Sequence, residues 1–504
     1  PKTGLPLPAD TRLANEIEAV NKTLADADTL GSIMKFSLSP AAREWVVSLG
    51  EENEAAQLVL ALTDKYVVLV MNPPYMGGGN MNAVLSNYVK KNYEAGKADL
   101  FSVFMQVAEE RLAKNGKYGM INLPSWLFLS TFEKIRTSLI NNYHIDSLLH
   151  MGRGIFGIDW GSVAFVVTKS QETTNGIYFR LHKRNFQHIY YYHIEQLFLK
   201  VLADHSFKYN FDSYRDEEGR VSTFTLSHDE SGLQLYYVAN QQNFEKIPGC
   251  PIGYWVSEKI FSRFAGNLAL SDVCKPVNGL TTSDNARFLR YWHEVDLEKI
   301  GFGCSSTEEA LETKKKWFPY NKGGSYRKWY GNQSLLINWE NDGEEIKSIK
   351  GPVLRNPNYY FKKSISWSLT SSVGCGFRYN PNAALFDVNG MSLFPNEEKD
   401  FMFLLGALNT TPYQMFSFII NPTLALQCGD VARFPAPTST PEKQILIERL
   451  AGQNYTISRT DWDAHETSWD FQENELVRLS KEVQHSCCAS TDNTSTCNDV
   501  NNAD

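Results

Sequence analysis

Paired cysteine is missing from this sequence. The eight cysteines stand at positions 250, 274, 304, 375, 428, 487, 488 and 497 with no C-x-x-C spacing, so neither a zinc ribbon nor a dithiol redox site is expected, and no metal site at all. Free thiols in a reducing cytoplasm are the simpler expectation. Long apolar runs are also lacking, since even Phe401–Leu408 stops at Asn409 and Pro412, and nothing reads as a signal peptide. An excess of positive charge is absent: the formal net charge of −8 excludes a protein that coats nucleic acid indiscriminately, although groove binding depends on local charge. No repeat of fixed period occurs.

What is there suits a globular protein. A chain of 504 residues that is 42% hydrophobic and 21% charged has material for two to four domains. It opens on Pro1 and ends in a polar tail from His485 to Asp504, which reads as a piece of something longer with a disordered end.

Leu13, Ile17, Val20 and Leu24 recur at helical spacing up to the Thr29-Leu30-Gly31 break, and a short helix is expected after Pro40. The period then changes. Residues 65–71 form a β-branched run too short for a helix, which predicts a parallel strand buried on both faces. Helices are expected over 83–93 and 99–113, the second closed by Asn115-Gly116, then a strand over 118–123. Ser130 with Glu133 reads as a capping box opening a helix to about Asn141, followed by strands over 145–151 and 163–169. This βαβα rhythm predicts an α/β fold of doubly wound type, but only its second half. Four segments follow: a helical lead-in over 1–60, a half-domain with an insertion over 61–245, a mixed α+β domain over 250–437, and a helix around 473–483 with a tail over 441–504.

The strand over 65–71 runs straight into Asn72-Pro73-Pro74-Tyr75. Ligands of open α/β sheets sit at the carboxyl ends of the strands. Two prolines stiffen the turn and donate nothing, leaving the Asn72 amide oxygen and the Pro73 carbonyl as two acceptors for the two hydrogens of an exocyclic amine. Such a grip favours a pyramidal nitrogen whose lone pair can attack a methyl group in line; that takes positioning and electrostatics rather than a strong base. Tyr75 can stack on a base. A proline-rich strand end is the competing account, but the string arises by chance in on the order of one in a thousand chains of this length.

Residues 67–169 resemble the second half of the gamma-type amino methyltransferases of DNA. The run from Asn72 to Asn82 and Lys97-Ala98-Asp99-Leu100-Phe101 resemble the phage-exclusion (BREX) adenine methyltransferases, as do residues 279–292 and 317–324. The resemblance implies a Rossmann-like class I methyltransferase sheet followed by an α+β target-recognition domain, S-adenosylmethionine as methyl donor, and double-stranded DNA as substrate. It implies adenine-N6 methylation in phage defence or restriction–modification, alongside other defence-system proteins and away from membranes. It assigns Asn72 and Pro73 to the target amine, Tyr75 and Phe156 to the two faces of a flipped adenine, and Phe104 with Pro74 to the cofactor's adenine. Helical spacing of Phe104 with Phe101 and Val107 would equally suit core packing. Phe156, in Gly154-Ile155-Phe156-Gly157, lies in a loop where an aromatic ring needs something to cover it, and an extruded base is one candidate. One departure stands out: the glycine-rich turn and acidic residue that hold the methyl donor should precede the catalytic turn, and residues 1–65 contain neither. Gly374-Cys375-Gly376, further on, lacks the strand-then-helix context and reads as a loop.

For DNA contact the stretch over 314–378 weighs most. Lys314, Lys315, Lys316, Lys322, Arg327, Lys328, Arg355, Lys362, Lys363 and Arg378 are interleaved with Trp317, Tyr320, Tyr326, Trp329, Tyr330, Tyr359, Tyr360 and Phe377, the first six cations weighing most. Cations neutralise phosphates, and the alternative is a solvated basic face beside an aromatic core. Two further functional readings stay open. A protein glutamine methyltransferase could use the same turn but has no need of residues 250–437, and a DNA-binding specificity module could have lost its catalysis or take it from a partner.

Overall fold

The computed structural model describes residues 4–25, 36–156, 161–171, 174–183, 187–215 and 224–481. The polar tail, the Thr29-Leu30-Gly31 break and Gly157 lie outside them. The chain forms two compact units, Pro1–Ala265 and Gly266–Asp504.

The first unit opens with helices α1 (Thr11–Ala25), α2 (Pro40–Ser48) and α3 (Glu54–Thr63). They share a core of Ile17, Val20, Val46, Ala56 and Val59. The backbone N–H of Ala42 donates to Ser39 Oγ at 3.2 Å, and that of Ala56 to Asn53 Oδ1 at 3.0 Å, fixing where α2 and α3 begin. Helix α3 escaped the sequence reading. Strands β1 (Tyr66–Met71), β2 (Leu112–Asn122), β3 (His144–Gly152), β4 (Ser162–Thr168) and β5 (Asn175–Arg180) follow, with helices α4 (Ala83–Asn92), α5 (Leu100–Arg111) and α6 (Glu133–Asn142) between them. After helix α7 (Tyr191–Ala203), β6 (Lys208–Tyr209) and β7 (Leu233–Gln234) make a small pair, and β8 (Tyr236–Asn240) joins the main sheet.

That sheet has the order β1-β2-β4-β3-β5-β8. Strands β1, β2, β3 and β5 run one way, β4 and β8 the other. The expected βαβα alternation therefore stops at β3, which returns to β4 without a helix. Strand β1 also departs from expectation. Among the described residues it pairs with β2 alone, and Val67, Val68 and Val70 are 70%, 61% and 82% exposed instead of buried on both faces. Its apolar composition suits a central strand, and here it is an edge bordering an open apolar groove with Met71, Ile121, Leu149, Ala164 and Phe198.

Two local readings also fail for identifiable reasons. Asn115-Gly116 does not cap α5 but forms a bulge in β2, with Asn115 at φ 60° and a Cβ on Gly116 only 2.9 Å from the Tyr66 carbonyl. Ser130 does not cap α6 either, because residues 130–132 wind into a 3₁₀ turn that puts Phe132 at the cap position. The unit runs past residue 245 because Arg136, fully buried on α6, donates to the carbonyls of Gly249 and Cys250 as well as Trp126 and Leu129.

The second unit is built on strands β9 (Cys274–Val277), β10 (Leu289–Tyr291), β11 (Trp317–Asn321), β12 (Leu335–Asn338), β13 (Lys362–Ser368), β14 (Arg378–Phe386) and β15 (Gly390–Pro395). Their order is β10-β12-β11-β14-β13-β15-β9, and only the β11–β14 pair is parallel. Its core takes Phe288, Phe318, Tyr320, Trp339, Tyr360, Phe361 and Phe386; of the aromatics read as DNA-facing, Tyr320, Tyr330, Tyr360 and Phe377 are interior while Tyr326 is exposed. A helix over Pro441–Asp463, not expected from the sequence, packs Ile447 and Ala451 onto Gly406 of the helix Phe401–Leu408. Residues 475–481 are helical, as expected. Among the described residues no helix is long and apolar enough to cross a membrane, no metal-binding cluster occurs, and Cys250, Cys274, Cys304, Cys375 and Cys428 are free.

Candidate functional site

Because β1 is parallel to β2, and β3 is parallel to both, the loops after β1 and after β3 leave the sheet at the same, carboxyl edge. Residues 72–75 begin the first loop. Asn72, Pro74 and Tyr75 are exposed and Pro73 is buried, so the turn stands open with one proline as its anchor. Tyr75 is 37% exposed, and its ring meets the edge of Phe101 at 6.5 Å, with Phe132 behind at 5.4 Å from Phe101. Partial burial pushes its phenol above the ordinary range.

What holds the turn is a residue the sequence reading quoted in a motif but gave no role. Asp99 is the N-cap of α5, accepting from the Phe101 amide at 3.3 Å, and the same oxygen accepts from the Met76 amide at 3.0 Å. The Leu100 amide donates to the Met76 carbonyl at 3.0 Å and the Gly78 amide to the Ala98 carbonyl at 2.8 Å. A Cβ on Gly78 would sit 3.0 Å from the Lys97 carbonyl. The Lys97–Phe101 string thus braces the glycines that follow Tyr75. A carboxylate two residues before an aromatic at a helix start was the available signal.

The second loop carries Phe156, which is 55% exposed. Its neighbour Ile155 packs into the core beside Leu149 and Ile189, so the chain direction turns Phe156 outward. Gly154, at φ 108°, passes so close to the Ile189 carbonyl that a Cβ would lie 1.9 Å from it; only glycine fits. Behind this loop His150 and His182 meet ring to ring at 4.2 Å, and Tyr254 Oη lies 3.3 Å from His150 Nδ1. Complete burial, with the nearby Arg180 charge, holds the His150 pKa down to about 3, so it serves as a neutral prop. Phe104 lies half-buried on α5 between the buried Val103 and Met105.

In the second unit the six candidate cations have varied surroundings. Lys322 Nζ donates to Asp387 Oδ2 and Asn285 Oδ1, both at 3.0 Å, and Asp387 is 2% exposed. Tyr320 Oη donates to the same carboxylate at 2.6 Å, and Thr282 Oγ1 to Asn285 Oδ1 at 2.6 Å. Two residues of the string over 279–292 take part: it supplies the buried Thr282 and the exposed Asn285 to the network around Asp387. Lys315 donates to the Glu298 carbonyl, Lys316 pairs with Glu340 at 3.4 Å, and Lys328 donates to the Asn409 carbonyl at 2.8 Å. Arg327 pairs with Asp461 at 3.2 Å and lies over the Trp462 ring at 4.9 Å. The exposed Lys314 side chain makes no polar contact among the described residues.

Comparison with known proteins adds to this geometry. Residues 14–156 match the family described as Eco57I restriction-modification methylase. Over 89% of its length the chain is 34% identical to the adenine-specific methyltransferase PglX of Lacticaseibacillus casei (strain Zhang). Over 94% it is 32% identical to the adenine-specific methyltransferase BrxX of Escherichia coli O9:H4 (strain HS). It spans 37% and 38% of the length of those two relatives. Among solved structures, the Type IIL restriction-modification enzyme MmeI in complex with DNA aligns over 88% of this chain and 57% of that one, at 12% identity and a TM-score of 0.45. The Type ISP enzyme LlaGI aligns over 85% of this chain and 37% of that one, at 10% identity and a TM-score of 0.42. By sequence, the chain is a homologue of the adenine-specific methyltransferases PglX and BrxX, and its first unit carries the Eco57I restriction-modification methylase segment.

Proposed function

We propose that this chain supplies the catalytic turn and the target-reading unit of a DNA adenine-N6 methyltransferase acting in phage defence or restriction–modification. The observation that carries the reading is the open Asn72-Pro73-Pro74-Tyr75 turn at the carboxyl end of a parallel strand, with Phe156 displayed past the carboxyl end of another. The two strands are three steps apart in the sheet, roughly 14 Å, and both loops leave the same edge. In this reading Asn72 Oδ1 and the Pro73 carbonyl accept the two hydrogens of the adenine amine. Tyr75 and Phe156 replace the stacking that the base loses on leaving the duplex. Asp99 keeps the turn from drifting, because an ångström of misplacement is costly in a reaction that depends on alignment.

S-adenosylmethionine is the methyl donor this reaction class uses, and it supplies an activated methyl group. Phe104 and Pro74 are the residues this chain offers toward its adenine. Among the described residues no glycine-rich strand-to-helix turn with a following acid precedes the turn over 72–75, so they do not by themselves make a donor site. The unpaired edge of β1 and its exposed valines leave room for a further strand beside the catalytic turn.

The test is Asn72→Ala in the full-length protein. We expect N6-methyladenine, read by long-read sequencing of host DNA, to disappear while duplex binding stays within about threefold. Retained methylation with lost binding would overturn the role given to the turn.

A further inference from the structure

Arg378 opens β14 and is 1% exposed, yet no carboxylate pairs with it among the described residues. Burial, with Arg327 nearby, lowers its pKa to about 10, so it remains a cation at neutral pH. An unpaired guanidinium is costly to bury, and an apolar side chain of similar volume would serve the core at least as well. Its hydrogen bonds show what it holds instead. Nη1 donates to the Arg327 carbonyl at 3.4 Å and to the Gly376 carbonyl at 3.5 Å. Nη2 donates to Ser368 Oγ at 3.3 Å, and Ser368 Oγ donates onward to the Gly324 carbonyl at 2.8 Å.

Ser368 ends β13, and the carbonyls belong to two turns, residues 322–331 after β11 and residues 369–377 after β13. The turns are stitched together in other ways too. The Trp329 amide donates to the Phe377 carbonyl at 2.8 Å and the Tyr379 amide to the Trp329 carbonyl at 2.8 Å. Gly376 passes so close to the Arg327 carbonyl that a Cβ would lie 2.3 Å away. From the far side Asn409 brackets Phe377, accepting from its amide at 3.1 Å and donating to its carbonyl at 2.9 Å, and Gln414 brackets Cys375 likewise. The bases of both turns are thus fixed while their tips stay exposed: Gly324, Ser325 and Tyr326 on one, Thr370, Ser372 and Val373 on the other. Hydroxyls, an aromatic ring and a branched apolar side chain on a rigid base suit the edges and methyl groups of bases in a groove.

We propose that Arg378 is a positioning residue for DNA reading, locking the two turns into one surface whose tips meet the duplex while Arg378 itself touches no DNA. The proposal rests on the DNA function proposed above and refines it.

The experiment uses the full-length protein with Arg378→Met and Arg378→Lys. Hydrogen exchange reads the turns directly: R378M should speed exchange at residues 324–330 and 370–377 together by tenfold or more, with R378K intermediate. Selection from a randomised duplex pool reads recognition: R378M should flatten sequence enrichment while the salt slope of binding stays that of the wild type. Unchanged exchange and unchanged enrichment overturn the proposal. A salt slope lower by about one counterion with unchanged exchange overturns it too, since Arg378 would then be touching phosphate. If the wild-type protein enriches no sequence, the DNA reading falls while the exchange result still decides whether Arg378 couples the turns. Should R378M fail to fold, Ser368→Ala removes only the hydroxyl relay and carries the same measurements.

Discussion

Residues 72–75 and residues 314–328 are both short contiguous stretches that announce chemistry, and the fold treats them in opposite ways. The first emerges as one open turn, with its acceptors on consecutive residues and its brace, Asp99, one helix further along the chain. The second is taken apart: Trp317, Phe318 and Tyr320 enter a strand, Lys322 goes to a buried carboxylate, and Lys315, Lys316, Arg327 and Lys328 bond to their own unit. Chemistry made by neighbouring backbone atoms survives folding. Chemistry inferred from clustered side chains depends on where a strand's alternation sends each one.

The largest effect that would break this comparison is the loss of methylation in Asn72→Ala. If the turn acts as a unit, removing one acceptor costs on the order of a hundredfold or more in rate, about 3 kcal/mol, without touching stability, because Asn72 is exposed.

A second test concerns pH. Burial on α5 raises the Glu109 pKa to about 8 from an ordinary 4.5, against the opposing pull of Lys169. The folded state therefore keeps a proton that the unfolded chain releases. The stabilisation is complete below pH 4.5 and is lost as pH rises through 8, with a slope of at most about 1.4 kcal/mol per pH unit. His150 runs the other way, with stability full above pH 6.5 and falling as pH drops toward 3. Glu109→Gln should flatten the alkaline decline of the melting temperature between pH 5.5 and 8.5. A decline that persists unchanged would remove Glu109 as its source.

How much of this was legible follows the same division. The strand end that opens into residues 72–75, the helices α4 and α5, and the strands β3 and β4 could be read because each is set by residues adjacent in sequence. The edge position of β1 could not be, since a run of valines looks the same whether or not a neighbouring strand covers it. The Asn115-Gly116 bulge was mistaken for a cap because positive φ serves both, and only the pairing of Tyr66 with Leu112 and Val68 with Lys117 tells them apart. Arg378, read in sequence as one of the DNA-facing cations, is 1% exposed, and neither it nor Asp387 could be recognised as an anchor because the partners of a buried charge lie tens of residues away.

The third test separates cations that the sequence grouped together. Lys322→Ala leaves Asp387 buried with its other donors, Tyr320 and Asn389, but no cation. Lys322 keeps some solvent contact, so the destabilisation should be about 2 to 3 kcal/mol, below the full range for breaking a buried pair. Urea unfolding checks it, and a change under about 0.5 kcal/mol would return Lys322 to the free surface. Asp99→Ala comes next, at about 1 kcal/mol for a lost cap, with a tenfold fall in methylation if the brace positions the turn. Asp99→Asn, which keeps the acceptor, should restore most of both.

Lys314 has the smallest effect and the sharpest contrast. It is exposed and sits at φ 54°, a backbone region that glycine occupies without strain and lysine does not. Lys314→Gly therefore relaxes the fold as it removes the charge, the reverse of what Lys322→Ala does. If this amine meets a phosphate, the variant should melt at the same temperature or slightly higher while the slope of log K against log salt falls by about 0.9. Affinity at moderate salt should drop only a few-fold. A slope that does not move would mean that the basic stretch contributes no phosphate contact at its most exposed point, leaving the two clamped turns to carry DNA binding in this unit.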